Sequence, residues 1–314
     1  MTDTRKIVAL HLTVLAVLFA AQFVLSAYHS NNVARIMVLA VFAMGYNISY
    51  GYTGLLSLGH ALFFATGLYA TGLAVWLLEW PSWAALSLGI VAGGVMAAAV
   101  GLLALRTKGV SFMIVTLMFA QAGYLLILYF GKYTGGDEGF AVELAGRSLF
   151  GTSFGQDRPR FFAAFALFAL AMVGNLALVR SHLGRVMVAV RENEDRTQML
   201  GYSPFQTRLI ALVISGVYSG AAGAMYAQLF GYVGASFATV EYSILPMLYV
   251  LLGGVGTVLG PLIGAGVMFY VIDIASGLTS AYLMLVGIIL VLLVLFAPRG
   301  ILGTLRERWL KWLP

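Results

Sequence analysis

The residues most able to do chemistry lie in a glycine-rich stretch over Gly45–Gly72. Its glycine and polar residues include Gly51, Gly54, Ser57, Gly59 and His60. Glycine at membrane depth permits either a broken helix or a close helix crossing, and both interpretations stay open here. A broken helix exposes backbone groups, which are tolerated only inside protein or beside a wet cavity. His60 by itself is more typical of a packed or capping histidine than of a ligand.

A second informative stretch is the charged segment 180–207. Its apolar residues recur at helical spacing: Leu183, Val186, Met187 and Val190. Gly201 suits the end of a helix, and Ser203-Pro204 suits the start of the next. Glu192 precedes Arg196 by four residues, which predicts a surface pair. We expect a short amphipathic helix or helix pair, serving as a membrane-surface connector or, given acids mixed among its arginines, as a docking element for a soluble partner.

A third stretch, Leu251–Gly266, echoes the first, because Gly54–His60 resembles Gly256–Pro261 with one residue fewer. The echo raises the possibility of an inverted repeat. Gly256, Gly260 and Gly264 also recur every four residues, as do Gly216 and Gly220. Such stripes allow close backbone approach, by default within the chain and alternatively at a subunit interface.

A fourth stretch opens the long loop 131–160, with the residues Thr134, Gly135, Gly136 and Asp137. A solvated turn is one interpretation. A gate element or a docking surface for an external protein is the other.

Several kinds of chemistry are excluded or disfavoured. The chain has no cysteine, and its four histidines lack metal-ligand spacing, so no metal site is expected. The motifs of phosphate-loop ATPases and zinc proteases are absent, so we expect no catalytic residues. The carboxylates Glu79, Glu241 and Asp273 lie at segment ends, which argues against proton coupling and, less strongly, against sodium coupling. The chain resembles a pathway without its own energy source.

Composition indicates the elements that must position these residues. The chain is 61% hydrophobic and only 10% charged, with a mean hydropathy of +0.95, so lipid must be its main solvent. We therefore predict an all-α polytopic membrane protein with about ten transmembrane helices, some broken or glycine-rich. The apolar segments are Ile7–Ala27, Ile36–Ser49, Ala61–Leu78, Trp83–Leu105, Val110–Phe130, Phe161–Val179, Leu209–Phe230, 244–255, 256–272 and 281–297.

Charge predicts the orientation of a single domain over residues 1–314. With ten spans and both termini in the cytoplasm, thirteen of the eighteen Lys and Arg residues fall on the cytoplasmic side. The net charge of +6 then reports membrane orientation rather than nucleic-acid binding. The loop 131–160 is external and the segment 180–207 is cytoplasmic. The first segment is expected to be an uncleaved anchor rather than a signal peptide.

Together these motifs resemble the LivM-type permease subunits of bacterial ABC importers for branched-chain amino acids. The resemblance covers about residues 35–300. It is carried by GYTGLLSLGHALFFATGLYA (51–70), LRTKGVSFMIVTLMFAQ (105–121), TGGDEGF (134–140), the segment 181–227 beginning SHLGRVMVAVRENEDRTQMLGYSPF, and LLGGVGTVLGPLIGA (251–265).

This resemblance implies a multi-pass subunit of the bacterial inner membrane that pairs with a second, homologous permease of LivH type. Two cytoplasmic ATPases, where ATP would bind, and a periplasmic binding protein complete the expected importer; this chain itself would hold no cofactor. Implied ATPase-coupling residues are Gly184, Arg185, Arg191, Glu192, Asn193, Glu194 and Gly201. Implied pathway residues are Gly54, Ser57, Gly59, His60, Thr116 and Gln121.

Other functions stay open at this point. Similar sequences move urea or short amides, so the solute is not fixed. A stand-alone secondary carrier or channel, and a membrane scaffold without transport, are the rival classes.

Overall fold

The structure is a computed structural model, and it describes residues 2–149, 152–278, 281, 284, 287, 288, 291, 295 and 300–308. Over these residues the chain is a helical bundle with four two-residue strands. The helices are α1 (Thr2–Val24), α2 (Ala27–Asn47), α3 (His60–Trp76), α4 (Ser82–Ala104), α5 (Val110–Tyr129), α6 (Gly131–Thr134), α7 (Asp157–Arg180), α8 (His182–Glu192), α9 (Glu194–Met199), α10 (Pro204–Phe230), α11 (Val240–Gly253), α12 (Gly260–Leu278) and α13 (Gly300–Arg308).

The predicted all-α membrane fold is confirmed. Among the described residues, seven helices are long and apolar enough to cross a membrane, and α3 and α11 are shorter apolar helices. These nine correspond to the first nine predicted segments, although α12 runs over Gly260–Leu278 rather than 256–272. The tenth predicted segment, 281–297, lies mostly outside the described residues.

Local sequence explains where the helices begin and end. The Ser203 hydroxyl accepts a hydrogen bond from the Gln206 amide, and Pro204 occupies the first turn, so α10 begins where the sequence predicts. Gly231, at φ +74°, ends the same helix in the left-handed conformation that glycine adopts without strain. Thr239 caps α11 through the Tyr242 amide in the same way as Ser203.

Helix α7 connects the two ends of the bundle. It follows the loop 131–156 at one end, here termed the long-loop end, and leads into α8 and α9 at the other, here termed the α8 end. Asn31, near the start of α2, donates a hydrogen bond to Asp157 at 3.0 Å, which places that start at the long-loop end. Helix α2 therefore runs towards the α8 end, and α10 runs the opposite way.

Two sets of three helices repeat the same packing in opposite directions. In the first set α2, α3 and α4 follow one another, and in the second α10, α11 and α12 do. Helices α3 and α4 pack on α10, as α11 and α12 pack on α2. The arrangement is that of an inverted repeat. The sequence echo, however, pairs the wrong segments, because the counterpart of the break 53–59 before α3 is 231–239 before α11, not 254–259.

Glycine allows this close packing within the chain, as the default interpretation predicts. A Cβ atom added to Gly220 in α10 would lie 2.8 Å from the Cα atom of Gly93 in α4, and one added to Gly93 would lie 2.7 Å from the carbonyl oxygen of Gly216. The stripe in α12 likewise packs on α11, since a Cβ on Gly264 would meet the backbone of Tyr249. These contacts bring the backbones of neighbouring helices together.

The strands lie in the connections at the long-loop end. Strand β1 (Phe140–Ala141) pairs antiparallel with β4 (Tyr232–Val233), and β2 (Ser148–Leu149) pairs with β3 (Thr152–Ser153). The first pair joins the long loop to the segment that precedes α11. The two connections are therefore held as one unit.

Candidate functional site

The glycine-rich stretch is a broken helix. Helix α2 passes into a π-helical turn, Ile48–Tyr52, and the chain then leaves helical geometry until α3 begins at His60. The Gly54 amide still donates to the Tyr50 carbonyl at 2.9 Å, but Gly54 has φ +73° and ends the turn. The break lies inside the bundle, as backbone polar groups at membrane depth require.

His60 is packed rather than open to solvent. Its side chain is fully buried, and Nε2 lies 2.7 Å from the Ser215 hydroxyl and 3.2 Å from the Ser49 hydroxyl. It thus joins the break to α10 and α2. This position agrees with the interpretation of His60 as a packed histidine rather than a ligand.

The N-termini of α3 and α11 meet beside this cluster. The Ala61 amide, in the first turn of α3, donates a hydrogen bond to the Ser243 hydroxyl in the first turn of α11 at 2.9 Å. Helix α3 runs from there to the long-loop end, where Trp76 stacks on Phe140 at 4.6 Å. Helix α11 runs to the α8 end. The bundle therefore contains two opposed helices that both begin inside it.

Most of the predicted pathway residues lie around this point. The Thr116 hydroxyl accepts a hydrogen bond from the Leu58 amide at 3.1 Å, and Ser57 accepts one from the Gly59 amide at 3.1 Å. A Cβ on Gly59 would lie 2.8 Å from the Thr116 carbonyl oxygen, so α5 packs directly on the break. Gln121 is half-buried and lies beside the buried stripe of α5 rather than in it.

The segment 180–207 forms the predicted helix pair, α8 and α9. The buried residues Val186, Met187 and Val190 pack α8 on the bundle, as their spacing predicts. Asn193 separates the two helices, because its side chain accepts a hydrogen bond from the Arg196 amide at 2.8 Å and starts α9. The predicted pair of Glu192 with Arg196 is wrong for this reason: the two residues do not share a continuous helix.

Arg191 links this helix pair to the broken helix. Its guanidinium donates a hydrogen bond to the Gly51 carbonyl in the π-helical turn. Its aliphatic stem passes Gly54, where an added Cβ would lie 3.0 Å from the Arg191 Cγ. The same guanidinium approaches Gly256, with 3.5 Å to an added Cβ. The Arg191 side chain therefore connects the helix pair to the glycine-rich stretch and lies beside the third stretch.

Asn47 is a functional candidate that the sequence analysis missed. Its side chain is fully buried; it donates to the Thr257 carbonyl at 2.9 Å and accepts from the Gly256 amide at 2.9 Å. It thereby holds the break after α11 against the end of α2. The partner residues are more than 200 positions away, and no local pattern marks them.

Glu194 binds two basic residues from other elements. Its carboxylate pairs with Lys108 at 3.0 Å and with Arg208 at 3.0 Å. Burial raises the pKa of this carboxyl, but the hydrogen bonds and charges of Lys108 and Arg208 outweigh burial and leave the pKa below its usual value. Glu194 thus ties α9 to the α4–α5 connection and to the start of α10.

The other coupling candidates differ in exposure. Gly184 is buried against the end of α7, with an added Cβ 2.7 Å from the Val179 carbonyl oxygen, so it offers no side-chain surface for docking. Arg185, Glu192 and Asn193 are exposed. Gly201, at φ +90° with open space around it, ends the helix pair as predicted.

Two exposed apolar residues lie at the end of α9, at the α8 end of the bundle. Met199 is 85% exposed and Leu200 is 71% exposed at the end of α9. The sequence analysis missed these two residues because they fall outside the apolar face of α8. Because these two neighbouring side chains lie beside the charged residues of α8 and α9, they form a candidate contact site.

The start of the long loop folds into a turn, and strand pairing joins the loop to the segment that precedes α11. The Thr134 hydroxyl donates to the Ile127 carbonyl at 2.6 Å and accepts from the Gly136 amide at 3.3 Å. Gly135 and Gly136 have φ values of +76° and +60°, which form the turn, and Asp137 is exposed. Strand pairing then connects this turn to Tyr232–Val233.

Arg147 is a second residue that the sequence analysis missed. It is 7% exposed and donates to the carbonyls of Gln228, at 2.7 Å, and of Leu229, which are the last carbonyls of α10. Burial, reinforced by nearby Arg160, lowers the pKa of this guanidinium, which stays charged at neutral pH. Arg147 therefore caps α10 from the long loop.

Sequence comparison finds relatives along most of this chain. The chain is 29% identical to the LivM high-affinity branched-chain amino acid permease of Escherichia coli K12, over 98% of this chain and 77% of LivM. It is 25% identical to LivH of the same strain, over 87% of this chain and 94% of LivH. Over 31% of this chain it is 32% identical to LsrC, an autoinducer 2 import permease of Klebsiella pneumoniae, covering 30% of that protein. Residues 28–297 match the family of branched-chain amino acid transport system permease components, and the chain belongs to that family.

Proposed function

We propose that this chain is the LivM-type permease subunit of an ATP-driven importer for branched-chain amino acids. The observation that carries the proposal is the contact of Arg191 with the Gly51 carbonyl, which joins the helix pair at the bundle surface to the broken helix inside it. A permease without its own ATPase needs such a connection, because a movement at its surface must reach the pathway.

The helix pair is the proposed ATPase contact. Met199 and Leu200 would enter an apolar groove of the ATPase, and the exposed Arg185, Glu192, Asp195 and Arg196 would form the charged rim. Arg191 and Glu194 contact this chain's own residues, so they would transmit the movement rather than bind the partner. ATP would bind only at the partner ATPases.

The proposed pathway lies around the break 53–59 and between this subunit and a second permease of LivH type. Relatives named LivM and LivH support that pairing. A periplasmic binding protein would deliver the solute to the long-loop end, with the turn at Thr134–Asp137 as its contact. This assignment would place the protein in a bacterial inner membrane, with both termini on the cytoplasmic side.

The solute class follows from the family. Leucine, isoleucine and valine are the proposed substrates, since the relatives with the highest coverage are named for branched-chain amino acids. A relative that matches 31% of this chain is named for autoinducer 2; urea and short amides are the alternatives to test.

The deciding experiment is reconstitution in vesicles. The chain with a LivH-type permease, the ATPases and the binding protein is expected to take up labelled leucine only with ATP. The chain alone is expected to take up none. Leucine accumulation by the chain alone would make it a secondary carrier. Uptake of urea but not of leucine would identify urea as the solute.

Matched variants test the ATPase contact. Met199→Ser with Leu200→Ser is expected to release the ATPases during purification and to abolish ATP-dependent uptake, while leaving the thermal midpoint Tm unchanged. Gln198→Ser, on the same exposed turn, removes no apolar surface and serves as the control. Retained ATPases in the double variant would contradict the assignment.

A further inference from the structure

A cavity of about 470 Å³ opens at the α8 end, between the break 53–59, the start of α5 and the helix α9. Its volume falls within the range of about 300–1,000 Å³ that is typical of small-molecule sites. The proposed ATPase contact requires no cavity here. Its lining therefore raises the question of what it binds.

The wall of the cavity is mostly apolar. Leu55 and Leu56 come from the break, and Phe112 and Met113 come from the first turn of α5. Phe112 is 2% exposed and Leu55 is 8% exposed, so this wall is part of a packed core rather than a loose surface. It offers a binding surface for an aliphatic side chain of limited size.

The rim carries charges of both signs. Lys108 and Arg208 lie beside Glu194, and all three residues line the cavity. The side chain of Lys108 is 75% exposed, so its ion pair with Glu194 is weak and easily exchanged for another partner. Within the part of the chain that the structure describes, Arg208 also has a buried Nε atom without a hydrogen-bond partner, which leaves it donor capacity.

The start of α5 adds a further preference for an anion. Gly109 precedes the helix at φ +58°, and among the described residues no side chain caps this first turn. The free backbone amides of a helix N-terminus favour a carboxylate. These amides belong to the first residues of α5, which begin at Val110 and line the cavity together with Lys108.

We propose that this cavity binds the zwitterion of an aliphatic amino acid. The carboxylate lies at Lys108 and the α5 N-terminus, the ammonium group pairs with Glu194, and the aliphatic side chain contacts Leu55, Leu56 and Phe112. A zwitterion offers a partner to Glu194 as well as to the basic residues, whereas an anionic lipid headgroup would occupy only Lys108 and Arg208; the test below separates the two ligands. The proposal rests on the proposed function in one respect: the cavity then faces the cytoplasm and binds the product of import.

Binding there has a consequence for transport. The ligand joins the start of α5 to the break 53–59 and to α9, which must move together relative to α5 if the helix pair drives the pathway. The occupied cavity holds them in one arrangement, so accumulated product slows further import. The site is thus a product-inhibition site.

Thermal stability tests binding independently of transport. Leucine is expected to raise the Tm of the purified complex, because a ligand that binds only the folded state stabilises it. Leucinamide, which lacks the carboxylate, and 4-methylpentanoate, which lacks the ammonium group, are expected to raise it less. Lys108→Gln and Val110→Trp are expected to abolish the leucine shift, whereas Met118→Trp, also exposed on α5 but outside the cavity, keeps it.

Transport tests the consequence. Leucine enclosed in vesicles at about ten times its dissociation constant is expected to reduce ATP-driven uptake about tenfold, since the site is then about nine-tenths occupied. Lys108→Gln and Val110→Trp are expected to remove that inhibition, and Met118→Trp is not.

Three results would overturn the inference. An equal Tm shift in all variants would place the ligand elsewhere. A shift with inorganic phosphate or phosphatidylglycerol, but not with leucine, would make the cavity an anion site. Inhibition unchanged in both cavity variants would exclude product inhibition. If the complex transports no leucine at all, the proposed function fails, while the Tm measurement still decides whether the cavity binds it.

Discussion

At the residue scale, side chains that bridge distant segments organise the site. Arg191, Asn47 and Glu194 each connect elements far apart in sequence. Their types are ordinary for surface or helix positions, so sequence alone indicates the segments but not the bridges. Glu194 illustrates the point, since its partners are Lys108 and Arg208 and both lie outside its own helix.

Arg191 gives the first prediction. Arg191→Ala is expected to lower ATP-driven uptake by about tenfold or more, because a hydrogen bond from a charged group contributes about 1.5–3 kcal/mol. Uptake in vesicles measures the effect. Arg185→Ala, which removes an exposed arginine from the same helix, is the control for general loss of charge, and equal effects of the two changes would argue against the Gly51 contact.

Asn47 and Asn175 form a matched pair for stability. Asn47→Leu is expected to destabilise the bundle by about 1–3 kcal/mol for each backbone group left unpaired. Asn175 is also fully buried, but its side-chain nitrogen and oxygen have no hydrogen-bond partner among the described residues, so Asn175→Leu is expected to be neutral or stabilising. Detergent denaturation measures both, and a larger loss at Asn175 would contradict the assignment.

Glu194 predicts an acid-sensitive contact. Because its folded-state pKa is depressed, its stabilising effect is fully present above the unfolded value near 4.5 and is lost as pH falls through the lower folded value. As the pH falls through this range, the Tm of the Glu194→Gln variant should therefore decline less steeply than the Tm of the wild type. Identical pH profiles would show that the ion pairs contribute nothing.

At the element scale, the apolar pattern predicted the helices well. It located nine segments, the helix pair and the start of α10, because those depend on local periodicity and caps. It did not predict that α3 and α11 begin inside the bundle, since that arrangement depends on tertiary contacts such as Ala61 with Ser243. The echo between Gly54–His60 and Gly256–Pro261 failed for the same reason, because glycine spacing carries no information on helix direction.

Helix packing gives the next prediction. Gly93→Leu is expected to destabilise or misassemble the bundle, because even one added carbon would lie 2.6 Å from the Gly220 Cα, and overpacking costs about 1–3 kcal/mol or more. Gly277→Ala, where no atom of the described residues lies within 4 Å of an added Cβ, is the control. Yield and Tm of the folded protein measure the difference, and similar values for both variants would contradict the tight crossing.

At the scale of the whole molecule, composition and charge predicted the class of protein and an orientation. Because the chain contains no cysteine, single-cysteine variants test that orientation without background. Asp137→Cys is expected to react with a membrane-impermeant maleimide on intact cells. Arg196→Cys is expected to react only after the membrane is opened, and the reverse pattern would invert the proposed topology.

The meeting of α3 and α11 has a consequence for ion permeability. Each helix N-terminus carries a partial positive charge of about half an elementary charge, and here two of them face each other beside the neutral side chains of Ser215 and Ser243. If the proposed pathway passes this point, a sodium ion or hydronium is expected to meet an electrostatic barrier there. An uncharged or zwitterionic solute is expected to meet a much smaller one, so a membrane containing the proposed importer would keep its ion gradients while solute crosses.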